Sequence, residues 1–199
     1  METIDLRIVD LARELLFTTL AIAGGPADYA GMEAYCDAHD GDGCQYINDV
    51  DESEVAAHGG VDDRIVAAIP MSPGIWYAFG EDGGNLSQTV PMLVMGGTSD
   101  EVLGYDSEIA PTFDKLASPK AMATLDGFGH YAAYSDMCLI LPVFGDCADE
   151  VDVDAGRHST LGLATAWLGV HYLANDAYAP WLEDDWRSNF PALTWQTSP

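Results

Sequence analysis

The stretch from residue 90 to residue 130 constrains the fold of this chain more than any other part of its sequence. It opens with VPMLVMGG at residues 90–97, an apolar run that ends in paired glycines. Such a run predicts a strand that is buried on both faces, as the strands of a parallel sheet are. Asp100 follows shortly afterwards, so we expect an acidic side chain at the carboxyl end of this strand.

A helix and a second strand complete the pattern. We predict a helix over Ser107–Leu116, which Ser118-Pro119 ends, and a strand over Lys120–Leu125. His130 lies in the loop after that second strand. Because the carboxyl ends of parallel strands meet at one edge of a sheet, we expect Asp100 and His130 to face each other.

Length and composition indicate one folded domain over residues 1–199. The chain is 48% hydrophobic and 20% charged, which favours a globular protein with a real core over a disordered one. No run of about 18 apolar residues occurs, so no membrane span is expected. Residues 1–10 carry charge early and do not have the pattern of a secretory signal.

The net charge of −26, from 33 acidic and 7 basic residues, limits the partners. It disfavours binding to nucleic acid and to anionic membranes. We interpret the charge as a solvated acidic surface suited to high salt, as in marine or halophilic organisms. The alternative is a cationic partner or bound cations.

The four cysteines form two local pairs. Cys36 and Cys44 flank an Asp/Gly-rich loop, and Cys138 and Cys147 flank LILPVFGD. Neither pair has the spacing of a zinc knuckle, and no histidines stand at ligand spacing around them. We therefore predict two short-range disulfides and an oxidising compartment, so that the protein is secreted or periplasmic. The alternative is four reduced cysteines in a cytosolic protein.

The acidic loop between the first two cysteines does not match a calcium-binding loop. Asp40 and Asp42 fall at the first and third positions of an EF-hand pattern. Cys44 and Gln45 then occupy the fifth and sixth positions, where an oxygen ligand and a glycine are needed. The sequence therefore predicts no metal and no cofactor.

Other elements are predicted on both sides of the central stretch. We expect a buried helix over Leu11–Ala23, an irregular acidic region over residues 27–63 and a buried strand over Asp63–Met71. Trp76 and Tyr77 follow that strand, and they either line a substrate pocket at the same sheet edge or cover the edge.

The C-terminal third contains the clearest amphipathic pattern. We predict a helix over His158–Ala174, capped by Ser159 or Thr160. Its apolar residues at helical spacing are Leu161, Ala164, Leu168 and Tyr172. The following Tyr178–Leu182, Trp186 and Trp195 are expected to pack back on the domain.

Several stretches of the chain resemble one enzyme family. They are FTTLAIAGG at residues 17–25, the cysteine pair 36/44 with DDRIVAAIPMSPG at 62–74, VPMLVMGGTSDEV with GFGHYAAYSDMC, and ATAWLGVHYLANDAYAPWL at 164–182. Together they resemble the dienelactone-hydrolase-like group of α/β-hydrolases, which is also similar to platelet-activating-factor acetylhydrolases. The likeness covers most of residues 17–182.

The resemblance implies a fold and an activity. The expected fold is of the α/β class, a truncated α/β-hydrolase with a mostly parallel sheet flanked by helices. Members of the group are similar to serine hydrolases that cleave carboxylic esters or lactones without a metal, in the chain order nucleophile, acid, histidine. Asp100 in GGTSD matches the acid, and His130 in GFGH matches the histidine.

The nucleophile of the family has no counterpart at the expected place. The family's Gly-x-Ser-x-Gly turn precedes the FTTLAIAGG-like helix, but here Arg13 stands about where the serine would be. Ser72 and Ser99 are weak substitutes, because Pro73 follows the first with no helix start and the second adjoins Asp100 and points elsewhere. The sequence predicts no activated serine.

Two functional hypotheses remain open at this point. The first is an ester hydrolase by lineage that retains the acid and the histidine, with a small ester as its substrate. The second is a non-catalytic remnant, because the family's earlier strands have no counterpart and their loss would leave an exposed sheet edge that favours homo-oligomers or ligand binding. A gene fragment with an altered start and no function is a third alternative.

Overall fold

The fold was analysed in a computed structural model. It describes residues 19–21, 23–40, 44, 52–53, 62–80, 82–87, 90–117, 119–131, 151–183 and 193–198. The predicted pair Cys138 and Cys147, Arg13 and Trp186 lie outside the described residues, as does most of the predicted helix over 11–23. Its last turn is helical and buried, and it ends at Gly24, whose N–H donates to Leu20 O.

The two central strands form where the sequence predicts them. Strand β1 spans Met92–Gly97 with all six residues buried, and strand β2 spans Lys120–Leu125. They pair in parallel, with Met92 opposite Lys120 and Gly97 opposite Leu125. Apolar side chains on both faces of β1 explain why a continuous apolar run, rather than an alternating one, forms this strand.

The segment before residue 72 also lies parallel to β1, but it is not the continuous strand that we predicted. Isolated bridges join Ala68 to Met92 and Met71 to Met95. Pro70 lies between them and accepts from Met95 N–H, but it has no N–H to donate, so the ladder is interrupted there.

Strand β3, Leu193–Ser198, adds an antiparallel strand beside β2. The order in the described sheet is β1-β2-β3, a mixed sheet of three strands. With helices on its two faces the protein belongs to the α/β class. The α/β-hydrolase fold and the single-domain organisation stay predictions.

Three α-helices have described bounds: α1 at Tyr29–Ala38, α2 at Ala110–Lys115 and α3 at Val153–His171. A π-helical turn at Tyr105–Ile109 leads directly into α2, so the predicted helix between the strands is confirmed with an earlier start. The prediction that residues 27–63 are irregular is wrong for α1. Asp28 caps this helix, because its side chain accepts from Gly31 N–H at 3.0 Å.

The helices cover opposite faces of the sheet. On one face, Ile109 and Phe113 pack against Met92 and Val94 of β1. On the other face, α3 packs Leu163 and Trp167 against strand residues that include Met95. The carboxyl ends of β1 and β2 therefore lie between two layers of packed side chains.

Helix α3 differs from its prediction in its start and in its buried face. Asp152 caps it, accepting from Ala155 N–H at 3.0 Å, so neither Ser159 nor Thr160 is the cap. Leu161 and Tyr172, which we placed on the apolar face, are 64% and 65% exposed. The helix carries apolar residues on more than one side, and tertiary packing selects the side with Leu163 and Trp167.

The C-terminal segments pack back on the domain, as expected. Tyr178, in the 3-10 helix Asp176–Leu182, lies so close to Gly169 of α3 that an added Cβ would overlap its ring. Trp195 of β3 packs on the α3 side of the sheet.

One of the two predicted disulfides lies in the described part of the chain. Cys36 and Cys44 are bonded, with Cα atoms 5.3 Å apart, which confirms this pairing and is compatible with an oxidising environment. Across the described ranges, no helix is both long and apolar enough to cross a bilayer.

Candidate active site

Asp100 and His130 meet at the carboxyl end of the parallel strands. Asp100 follows β1 and His130 follows β2, and the distance from His130 Nδ1 to Asp100 Oδ2 is 2.9 Å. The Asp100 side chain is fully buried and that of His130 is 8% exposed. The predicted proximity of the two residues is confirmed, while their catalytic role stays a prediction.

The other carboxylate oxygen of Asp100 is held by its own loop. Oδ1 accepts from Val102 N–H at 2.9 Å and from Leu103 N–H at 2.8 Å. A carboxylate with two backbone donors on one oxygen cannot rotate without breaking both bonds. Oδ2 is therefore aimed at His130 before any ligand binds.

The His130 loop is joined to the Asp100 loop by backbone bonds. Thr98 N–H donates to Leu125 O, and Ser99 N–H donates to Phe128 O, each at 3.0 Å. Gly97 is needed beneath this crossing, since an added Cβ would overlap the carbonyl oxygen of Phe128. The glycine that ends β1 thus lets the loop with the histidine approach the acid.

Hydrogen bonds of the Thr98 side chain also join the loop after β1 to the loop after β2. Thr98 Oγ1 accepts from Gly127 N–H at 2.8 Å and donates to Asp126 Oδ1 at 3.1 Å. Gly127 has a φ of +77°, a left-handed conformation that glycine adopts without strain. The loop between β2 and His130 is therefore a tight turn that is hydrogen-bonded to Thr98, the residue directly after β1.

The pairing determines which ring nitrogen is available for chemistry. An ionised carboxylate only accepts hydrogen bonds, so Asp100 places the imidazole proton on Nδ1 of His130. Within the described residues, Nε2 makes no hydrogen bond. A neutral imidazole with a free Nε2 lone pair can take a proton from a hydroxyl or a water.

Of the two serines considered from the sequence, only one is unusual in the structure. Ser99 is exposed and its N–H is used by the loop junction. Ser72 is 1% exposed, has a left-handed φ of +42°, and its Oγ has no hydrogen-bond partner among the described residues. A left-handed non-glycine residue costs about 1–3 kcal/mol, and a buried unsatisfied hydroxyl costs about 1–3 kcal/mol.

Sequence reasoning missed a buried acid close to Ser72. Glu108 is 1% exposed, and its Oε2 accepts from Ile75 N–H at 2.7 Å, which holds the turn that follows Ser72. Burial, followed by the charge of Glu108, raises the pKa of Tyr35. An acid in a helical segment is usually a surface residue, so no local signal distinguishes this one.

Trp76 and Tyr77 make packing contacts with α1 and with the segment that leads into and forms α2. Tyr77 is fully buried and stacks on Tyr35 with ring centroids 4.1 Å apart. Trp76 Nε1 donates to Ser107 O at 3.1 Å, and Lys115 Nζ lies 4.1 Å from the centre of the Trp76 ring. Their role in a substrate pocket stays a prediction.

In the part of the chain that the structure describes, no group of three or more His, Cys, Asp or Glu side chains is arranged to hold a metal ion. Compared with known proteins, the chain matches no family model and no curated protein sequence.

Proposed function

We propose that this chain is a hydrolase of the serine ester-hydrolase lineage that acts on carboxylic esters or lactones through Asp100 and His130. The observation that carries the proposal is the 2.9 Å bond between Asp100 Oδ2 and His130 Nδ1, made by two buried side chains. A carboxylate held against one ring nitrogen leaves the other nitrogen as a general base, which attack on an ester carbonyl requires.

Each residue has a defined part in the reaction. His130 Nε2 takes the proton of the attacking hydroxyl or water and returns it to the departing alcohol. Asp100 keeps the proton on Nδ1, orients the ring and stabilises the imidazolium that forms. In this scheme His130, rather than a metal-bound hydroxide, activates the nucleophile, so the proton transfer is written without a metal.

Ester turnover with matched histidine variants tests the proposal. We expect wild-type protein to cleave a short-chain p-nitrophenyl ester, and His130→Ala to lose all turnover above the buffer rate. His158→Ala is the control, since His158 is exposed on α3 and, within the described residues, hydrogen-bonds only to the Asp154 carbonyl. Equal rates for the wild type and His130→Ala would remove the proposed function.

A second candidate is a non-catalytic hydrolase remnant that binds a partner or self-associates. The observation that favours it is a group of exposed apolar side chains on α3 and the segment after it. Its members are Leu161 (64% exposed), Leu168 (38%), Tyr172 (65%), Leu173 (58%) and Trp181 (44%). Monomeric proteins seldom expose such residues together.

Size exclusion distinguishes this candidate. Self-association through the α3 face predicts a dimer or larger species at high salt, where repulsion between the acidic chains is screened. Tyr172→Lys should then restore a monomer. A sharp monomer peak for the wild-type protein at every salt concentration would exclude self-association.

We also propose that the protein works in an oxidising compartment, secreted or periplasmic. The Cys36–Cys44 bond supports this, since such bonds persist where thiols are oxidised. Alkylation of the protein from its native source, before any reduction, should leave both cysteines unmodified. Alkylated Cys36 and Cys44 would contradict the proposed location.

A further inference from the structure

Ser72 combines three features that are costly in a folded protein. Its backbone is left-handed at a φ of +42°, it is 1% exposed, and its Oγ lacks a hydrogen-bond partner in the described structure. Strained residues and unsatisfied polar groups of this kind concentrate at functional sites. Their combination at one residue points to a functional role for the Ser72 hydroxyl.

The position of Ser72 is one strand away from the Asp100–His130 pair. Ser72 N–H donates to Met95 O at 2.6 Å, which places it at the carboxyl end of the segment that runs parallel to β1. Asp100 and His130 lie at the carboxyl ends of β1 and β2. All three residues thus belong to one edge of the sheet.

The turn that contains Ser72 also packs on the loop that contains Asp100. A Cβ on Gly74 would lie 2.8 Å from a methyl group of Leu103. Leu103 N–H in turn donates to Asp100 Oδ1 at 2.8 Å. The Ser72 turn therefore rests on the residue that orients the carboxylate.

The backbone around Ser72 has the order isolated β-bridges, strained serine, turn and a three-residue 3-10 helix. Ile75 is left-handed at a φ of +60°, and a 3-10 helix follows at Trp76–Ala78. A serine that must project from a strand end is presented by such a turn. The sequence argued against Ser72 because Pro73 follows it and no helix starts there to supply a backbone oxyanion donor. Gly74 N–H is the following donor, and it has no acceptor among the described residues.

We propose that Ser72 Oγ is the nucleophile that Asp100 and His130 activate. The inference rests on the proposed ester hydrolysis and names the residue that attacks. Ser72 is 1% exposed, so an ester reaches its Oγ only when the side chains that cover it move aside. Acetyl esters, whose acyl group is small, are therefore the substrate class that we propose.

The covalent steps follow from this assignment. Ser72 Oγ bonds to the ester carbonyl carbon while its proton passes to His130 Nε2, and the carbonyl oxygen becomes an oxyanion that Gly74 N–H stabilises. The oxyanion collapses, the bond to the alkoxy oxygen breaks, and Nε2 protonates the departing alcohol. Water then attacks the acyl-Ser72 ester in the same way, releasing the acid and the free hydroxyl.

Labelling with a small fluorophosphonate, followed by peptide mass spectrometry, tests the assignment directly. We expect the label on Ser72, no label in Ser72→Ala, and labelling slowed at least about 100-fold in His130→Ala. Ser99→Ala is the matched control and should label as the wild type does. A label on any other serine, or none at all, overturns the inference.

Acetyl ester kinetics separate this inference from the function on which it rests. Ser72→Ala, His130→Ala and the double variant should each lose about a thousandfold or more, since residues that act as a unit are not additive. Turnover that needs His130 and not Ser72 keeps the hydrolase and overturns the nucleophile. Labelled Ser72 without ester turnover keeps the nucleophile and overturns the hydrolase.

Folding of the variants is checked in the same series. Ser72→Ala removes the unpaired hydroxyl, and Ser72→Gly removes both the hydroxyl and the strained conformation, so their urea midpoints should match or exceed that of the wild type. If Ser72→Ala does not fold, Ser72→Gly serves in the labelling and kinetic experiments. Wild-type turnover in a folded Ser72→Gly variant refutes the nucleophile.

Discussion

Replacing Asp100 by asparagine separates the orienting contact of this carboxylate from its structural contacts. In the wild type Oδ1 accepts from the backbone N–H groups of Val102 and Leu103, and Oδ2 accepts from His130 Nδ1. The Asn amide oxygen can keep both backbone bonds. Its NH₂ group then faces Nδ1, which must become an acceptor, so the imidazole proton moves to Nε2.

The expected stability changes follow from this count of bonds. Asp100→Asn exchanges one charge-assisted hydrogen bond for a neutral one, a loss of about 1 kcal/mol in the free energy of unfolding. Asp100→Ala leaves two backbone donors and one ring nitrogen without their acceptor, and we expect a loss of about 3–5 kcal/mol. Urea unfolding followed by tryptophan fluorescence measures both values.

Two further measurements test the same reasoning on the wild type and Asp100→Asn. Nitrogen-15 NMR of His130 should show the proton on Nδ1 in the wild type and on Nε2 in Asp100→Asn. Ester turnover, if His130 is the base, should fall about 10⁴-fold in Asp100→Asn because the wrong tautomer has no lone pair at Nε2. Equal destabilisation by Asn and Ala, or an unchanged tautomer in Asp100→Asn, would refute the reasoning.

Three other predictions concern the packing beneath the site, the pH dependence of stability and its salt dependence. Gly97→Ala should lower the free energy of unfolding by about 1–3 kcal/mol, because the methyl group overlaps the rigid Phe128 carbonyl. Gly84→Ala is the control, because a Cβ there would meet no heavy atom within 4 Å among the described residues, and it should cost less than half as much in the same urea titration. Burial lowers the pKa of His171 below 6.5, so the unfolded chain takes up this proton first and stability falls as the pH drops below about 6.5. In His171→Gln this fall in the free energy of unfolding with decreasing pH should be smaller by the contribution of His171. Identical stability–pH profiles for the wild type and the variant would contradict the prediction. Finally, the net charge of −26 predicts a melting temperature that rises from about 0.05 M to about 2 M NaCl, and no change would count against self-repulsion.

The elements that sequence reasoning predicted well are those with local signals. The apolar run at β1, the bounds of β2 and the stop before it depend on hydrophobicity, glycine and proline within a few residues. The meeting of Asp100 and His130 follows from one topological rule, since both come directly after parallel neighbours. Helix α1 was predictable too, because Asp28 is a typical N-cap whose signal was overlooked.

The elements that were predicted wrongly depend on contacts with distant parts of the chain. Helix α3 has apolar residues on several sides, and only its packing on β1 and β2 decides that Leu163 is buried and Leu161 is exposed. The interruption at Pro70 matters only because β1 is its neighbour. Ala68 N–H donates to Pro91 O and Ser72 N–H donates to Met95 O, so the bond that Pro70 cannot make is the one to Leu93 O between them.

The amino-acid order alone determined the class of the fold and the pairing of an acid with an imidazole, because both follow from local patterns and the geometry of a parallel sheet. Tertiary structure alone decided the surroundings of Ser72. A glutamate from a distant segment holds the turn after this serine. The serine itself is buried with a left-handed backbone, and its hydroxyl has no hydrogen-bond partner in the described part of the chain. Such properties depend on residues that are distant in sequence and come together only on folding, so they cannot be predicted from the spacing of residues along the chain.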